Sequence, residues 1–305
     1  MEGNQSDKSC RQDRQPARTM DAITVDYIAA YLLDRCRLSF SGHKRAILRS
    51  RLESRIAALA LPDIAAYWQF LKSSREEEAM LFDLVTTNET SFFRNPAQFE
   101  LLRARIIPGF ELLPAIEKNS IRVLCAGCST GEEPYSVAMT LLAALRNPAN
   151  WRLEIVAGDL SKSCLEIAKS GYYDREKLGK IPGGYIERYM ERQGEGAVMK
   201  AAVRKMVHFE QLNLNDLMTP ACAPACEKLG RFDIIFCRNV MIYFSSPCQQ
   251  LLVDTLHELL LPGGYLFTGD AEPLHIFKHD FRPVENADCL IYQKMERADD
   301  ARIPC

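Results

Sequence analysis

From position 21 to about 93 the apolar residues recur at helical spacing: Tyr27, Tyr31 and Leu32 in one segment, Leu48, Leu52, Ile56 and Leu59 in a second, Ile64, Trp68 and Leu71 in a third. No strand pattern interrupts them, so residues 21–94 read as an all-α domain, with another helix over 74–85 and Pro62 at a helix start. The character then changes. Short β-branched runs at 121–125, 153–157, 232–237 and 265–268 alternate with helical stretches at 134–145, 161–170 and 247–260, the signature of a parallel sheet with crossover helices. Runs at 281–284 and 289–293 lie close enough to form an antiparallel pair at the sheet edge.

One stretch breaks the alternation. Residues 172–212 carry Gly179, Gly183, Gly184, Gly194 and Gly196, with short alternating pieces at 199–206 and 207–212, and read as an inserted small antiparallel β subdomain. The expected organisation is therefore a helical domain over 21–94 and an α/β domain over 95–295 that holds the insert at about 172–212. Polar, aperiodic tails at 1–20 and 296–305 carry no fold information.

Composition narrows the class without choosing a function. The 305 residues are 47% hydrophobic and 26% charged, near globular averages, and exclude a collagen-like, coiled-coil or wholly disordered chain. Lys plus Arg number 38 against 40 Asp plus Glu, so no global field commits the protein to nucleic acid or to a membrane. No run approaches the roughly 18 apolar residues of a membrane span, and the first 20 residues do not form a signal peptide. Eleven scattered cysteines argue for free thiols in a reducing cytoplasm. A four-thiolate zinc site across Cys125, Cys128, Cys222 and Cys226 is outweighed, because the first pair lies in a segment with a better explanation; no metal is expected.

That segment, 121–134, is a strand, a glycine loop with Gly127 and Gly131, and a helix start. It is neither the spaced G-x-G-x-x-G fingerprint nor a phosphate loop, and Glu132 and Glu133 would repel an anion. A cationic, amine-bearing ligand suits them better. Asp159, past the second strand, can accept from both hydroxyls of a ribose, or equally cap the helix near Ser161. Together these features suggest S-adenosylmethionine, a nucleoside carrying a positive group.

Three longer blocks decide the balance: Thr86-Thr87-Asn88-Glu89-Thr90-Ser91-Phe92-Phe93-Arg94, residues 127–136, and Phe232-Asp233-Ile234-Ile235-Phe236-Cys237-Arg238-Asn239-Val240-Met241-Ile242-Tyr243-Phe244. In order and over residues 21–293, the chain resembles the CheR family of chemotaxis-receptor glutamate O-methyltransferases. The resemblance implies a Rossmann-like S-adenosylmethionine-dependent methyltransferase domain that releases S-adenosylhomocysteine. It implies that Asn88, Thr90, Arg94, Glu133, Asp159, Asn213, Leu214, Arg238 and Asn239 bind the cofactor, and that Arg94 and Tyr243 border the methyl group. Phe92 and Phe93 are expected as packing anchors. Asn213 and Asn239, read without the resemblance, are loop caps.

The neutral total conceals a basic run: Arg35, Arg37, Lys44, Arg45, Arg49, Arg51 and Arg55 against Glu53. Lys44, Arg51 and Arg55 fall within about 40° of one another on a helix. A solvated helix face is the ordinary reading of such charge. The resemblance implies instead that they face acidic cytoplasmic helices of chemotaxis receptors. Two departures stand out. Gly269-Asp270-Ala271-Glu272 replaces the usual Gly-His-Ser-Glu, and the short turn at 193–196 resembles versions without strong docking of a receptor's C-terminal pentapeptide. Competing expectations are a methyltransferase of another acceptor and a non-catalytic cofactor-binding scaffold.

Overall fold

The computed structural model describes residues 24–114, 119–218, 223–284 and 289–295. The tails and Cys222 lie outside them.

Four helices form first: α1 (Val25–Cys36), α2 (His43–Ala58), α3 (Ile64–Ser73) and α4 (Arg75–Val85). Their starts follow side-chain caps. Thr24, Asp63 and Ser74 each accept a bond from an N–H in the first turn of α1, α3 and α4, so Pro62 stands one residue before the cap rather than inside the helix. Ile28, Leu32, Leu48, Leu52, Tyr67, Leu71 and Leu81 are almost completely buried, as the helical spacing requires.

Residues 86–95 then lead to α5 (Pro96–Leu101), a π-helical turn at 102–106 and α6 (Ile107–Glu111). The sheet begins with β1 (Ser120–Ala126), followed by α7 (Glu132–Ala144), β2 (Arg152–Asp159) and α8 (Lys162–Ser170). The insert comprises β3 (Tyr172–Tyr173), α9 (Arg175–Leu178), α10 (Tyr185–Tyr189), β4 (Met190–Gln193), β5 (Gly196–Met199) and α11 (Ala201–Arg204). The chain returns through β6 (Val207–Gln211), α12 (Leu214–Leu217), α13 (Ala223–Leu229), β7 (Phe232–Cys237), α14 (Ser246–Leu259) and β8 (Leu260–Thr268). It ends in β9 (Phe281–Pro283) and β10 (Ile291–Lys294).

The main sheet has seven strands in the order β6-β2-β1-β7-β8-β10-β9. The first five are parallel, and β10 pairs antiparallel with both β8 and β9, as the 281–293 pattern predicts. One boundary is corrected. Val207–Gln211 does not belong to the insert: it pairs with β2 as an edge strand of the main sheet, and 201–204 is a helical turn. Alternation in a five-residue edge strand looks the same whichever sheet it joins. The insert proper is the three-stranded antiparallel sheet β3-β5-β4.

Alternate residues feed two cores. Val123, Cys125, Ile155, Ala157, Ile234 and Phe236 face α7, the segment around Phe92 and Phe93, and the insert. Leu124, Ala126, Val156, Ile235 and Cys237 join α12, α14 and the four N-terminal helices. The helical domain is therefore packed onto the sheet's second face. Among the described residues, no helix is long and apolar enough to cross a membrane.

Candidate active site

In an open α/β sheet a ligand binds outside the carboxyl ends of the strands where the order reverses, here between β1 and its neighbours β2 and β7. A cleft of about 310 Å³ lies there. It is lined by Gly127 and Ser129 after β1, Asp159 at the end of β2, Leu212, Asn213 and Leu214 after β6, and Arg238, Asn239, Val240 and Tyr243 after β7. The helical domain and the linker supply the opposite wall, with Phe40, Lys44, Ile47, Arg51, Asn88, Thr90 and Arg94.

The glycine loop is shaped by close approach. Gly127 has φ +84°, and a Cβ there would lie 2.4 Å from Val240 Cγ2. Gly127 N and Cys128 N both donate to Gly158 O, at 2.8 and 3.0 Å, which locks the loop to the end of β2. Asp159 is 7% exposed. Its Oδ1 accepts from Ser161 N at 2.9 Å and its Oδ2 from Ser129 N at 2.7 Å. It thus shapes the turn leading into α8, whose cap is Ser161, and it still lines the cleft. Burial raises its pKa while these N–H bonds oppose the shift.

Glu132 and Glu133, adjacent in sequence, part company on α7. Glu132 is fully buried and turns away from the cleft, taking a bond from Thr130 Oγ1 at 2.7 Å and an ion pair from Lys177 of the insert. Glu133 alone reaches the cleft, where Arg238 Nη1 lies 3.2 Å from its Oε2. Burial pushes the Glu133 carboxyl up; Arg238 and Arg94 pull it back. Arg238 Nη2 donates to Arg94 O at 2.6 Å, while its Nε is buried without an acceptor among the described residues. That orphaned donor, beside the Glu133 carboxyl, suits a ligand carrying both a carboxylate and an ammonium. With Asp159 for a ribose and Leu160, Leu212, Leu214 and Val240 as apolar walls, the residues present fit S-adenosylmethionine.

All of the cofactor and catalytic residues expected from the sequence line this one cleft. Two are also committed locally. Asn213 Nδ2 donates to Arg35 O at 2.7 Å and its Oδ1 accepts from Asn215 N, so it caps α1 and α12. Asn239 adopts φ +59°, a conformation rare for a residue other than glycine. Phe92 and Phe93 are buried against Tyr173, Phe99 and Tyr185.

The basic helix divides differently from expectation. Lys44 enters the cleft, with Nζ donating to Ile242 O at 2.9 Å and lying 5.3 Å from the Tyr243 ring centroid. Arg51 also lines the cleft, but its guanidinium caps the end of α4 through Leu84 O at 2.8 Å. Arg55 is not brought to the cleft: Nε and Nη2 donate to the two oxygens of buried Glu77, at 3.0 and 2.6 Å. Arg35 and Arg45 are paired to Glu78 and Asp26. Charge along a helix does not reveal acids on a neighbouring helix that consume it.

Sequence reasoning missed the loop between α1 and α2, where Ser39 N donates to Tyr243 O at 3.0 Å and Leu38 bridges Phe244. It also missed the inward turn of Glu272, which is buried and bonded to Asn239 N.

A doubly wound sheet with a glycine-lined cleft at its switch point, into which Glu133 and Asp159 reach, defines an S-adenosylmethionine-dependent methyltransferase fold with an all-α domain before it. More narrowly, the chain belongs to the CheR methyltransferase family: the family's SAM-binding domain matches residues 88–289 and its all-alpha domain residues 24–86. It is 33% identical over 286 residues to chemotaxis protein methyltransferase 1 of Pseudomonas aeruginosa, covering 90% of this chain and 99% of that one. The chemotaxis protein methyltransferase of Borreliella burgdorferi is 33% identical over 242 residues, 78% and 83% of the two chains. Chemotaxis protein methyltransferase Cher2 of Pseudomonas putida is 32% identical over 288 residues, 89% and 98%.

Proposed function

We propose that this protein is a cytoplasmic glutamate O-methyltransferase that converts side-chain carboxylates of chemotaxis receptors to methyl esters in sensory adaptation. The observation that carries the reading is the single cleft in which Glu133, Asp159, Arg238 and Asn239 meet Arg94, Tyr243 and Lys44.

S-adenosylmethionine supplies an activated methyl group and a neutral leaving thioether. The acceptor needs no general base, because a glutamate with a reference pKa of about 4.3 is already ionised at neutral pH. What remains is to bind, align and strip water, and alignment alone is worth about 7 to 11 kcal/mol. In this reading Glu133 holds the ammonium end of the cofactor, Asp159 the ribose, and the Asn88–Arg94 linker closes over them. Arg94, exposed at the mouth, and Tyr243, half-buried beside it, orient the incoming carboxylate, with Lys44 adding positive charge. Lys44 and Arg51 meet the acidic receptor helices, while Arg55 contributes by holding the helical domain together.

The test is incubation with methyl-labelled S-adenosylmethionine and receptor-containing membranes. Base-labile label released as methanol is expected. A base-stable product would mean another acceptor, and tight cofactor binding without transfer would mean a scaffold.

A further inference from the structure

The turn at 269–272 departs from the family pattern, and the structure shows what it touches. Glu272 is 4% exposed. Its Oε2 accepts from Asn239 N at 2.6 Å and from Gly269 N at 2.9 Å, and its Oε1 accepts from Ile242 N at 3.3 Å. One carboxylate therefore pins both ends of the segment 239–242 that follows β7, immediately before Tyr243. The turn is built around it. Glu272 N closes onto Gly269 O at 2.9 Å, and a Cβ at Gly269 would lie 2.6 Å from Glu272 Oε2 and 3.0 Å from Asn239 N. Asn239 sits at φ +59°, a backbone state that needs support, and Glu272 holds its N–H. From the other side of the same turn, Asp270 Oδ1 accepts from Asn95 Nδ2 at 2.6 Å, and Asn95, at φ +62°, follows Arg94 directly.

We propose that the turn 269–272 is the positioning device for methyl transfer: Glu272 fixes Tyr243 and Asn239 through their backbone segment, and Asp270 fixes Arg94 through Asn95. Neither acid touches the reacting atoms. In this reading the two residues that border the methyl group, Arg94 and Tyr243, come from the linker and from the segment after β7, which Arg238 joins to Arg94 across 144 positions, and the turn bonds to a neighbour of each. A carboxylate suits the task because it is acceptor-only, so three N–H groups can converge on it; an amide would direct its NH2 against at least one of them.

This inference rests on the reading of Arg94 and Tyr243 given above, and the experiment separates the two. Wild type, Glu272→Gln, Tyr243→Phe and the double variant are compared for S-adenosylhomocysteine affinity, melting temperature and single-turnover methyl transfer to receptor membranes. We expect Glu272→Gln to slow transfer about tenfold or more while the protein stays folded. In the Tyr243→Phe background the same change should cost less than it does in wild type, what is left being the share that runs through Asn239, because two residues acting through one group are not additive. A slow Tyr243→Phe with a Glu272→Gln that melts lower but transfers at the normal rate, or effects that multiply fully, would overturn the positioning role. A Tyr243→Phe that transfers normally would overturn the reading beneath it, and with it this proposal. Asp270→Ala is the milder control: a several-fold slowing at unchanged melting temperature supports the second half of the device, and none removes it.

Discussion

Arg238 Nη1 stands 3.2 Å from Glu133 Oε2 in the floor of the cleft, a nearly buried cation against a carboxylate whose side chain is 12% exposed. The pair leaves Arg238 Nε without an acceptor among the described residues and Glu133 with a pKa pushed above its ordinary 4.5 by burial. The cleft is therefore charged and incompletely satisfied before its ligand arrives.

The first prediction concerns pH. A carboxyl whose folded pKa is raised contributes stability below its unfolded value and loses it as pH rises through the folded value. Glu133 and Asp159 both lie in this direction, so the ligand-free protein loses stability as pH climbs from their ordinary values of 4.5 and 3.8 through the raised folded ones. A cationic ligand prefers the ionised form, so the rise in melting temperature on adding S-adenosylmethionine should grow as pH climbs through the raised folded values of these two carboxyls. Glu133→Gln should weaken cofactor binding roughly 10- to 100-fold, the worth of a charged hydrogen bond, and flatten the slope. An unchanged slope in that variant would remove Glu133 from the ammonium site.

Arg94 is exposed at the mouth, anchored by a bond from Nη1 to Glu89 O at 3.0 Å. Arg94→Ala should reduce methyl transfer by at least about tenfold, in line with the loss of one oriented cation at a reacting centre. Stopped assays with saturating receptor would report it. Cofactor binding and transfer both at wild-type level would exclude Arg94 from the reaction.

Arg55 and Lys44 lie on one helix and should behave oppositely. Removing Arg55 leaves Glu77, 2% exposed at its side chain, as an unpaired buried carboxylate. Breaking such a pair costs about 3 kcal/mol, so Arg55→Ala should lower the melting temperature by several degrees yet leave cofactor affinity intact once folded. Lys44→Ala should melt normally and raise the KM for receptor. Equal melting losses in both variants would contradict this division.

How much of this was legible in the sequence depended on whether the cause was local. The strands β1, β2 and β7 and the N-terminal helices followed from period, because residues such as Val123, Ile155 and Ile234 carry their own pattern. Long contiguous blocks located Arg94, Glu133 and Arg238, and the end of the second strand located Asp159. What stayed hidden is set by tertiary neighbours. Val207–Gln211 is assigned to the main sheet by its partner β2, Arg55 is neutralised by Glu77 on another helix, and Glu132 differs from Glu133 because one helical step of about 100° points it at Lys177. Glu272 was visible as a residue but not as a ligand for three N–H groups, which only the folded turn brings together.

The glycine loop offers a last, two-part prediction. Gly127→Ala introduces a methyl 2.4 Å from Val240 Cγ2 at a φ of +84°. The steric clash and the backbone strain are separable. Strain alone costs about 1 to 2 kcal/mol, whereas the clash must displace Val240, which lines the cleft beside Asn239. Gly127→Ala should therefore abolish measurable cofactor binding, and adding Val240→Ala, which removes the offending Cγ2, should restore binding to within about tenfold to thirtyfold of wild type. Calorimetric titration with S-adenosylhomocysteine reads both steps. No recovery in the double variant would show that the left-handed backbone of Gly127, and not its approach to Val240, is what the cofactor loop requires.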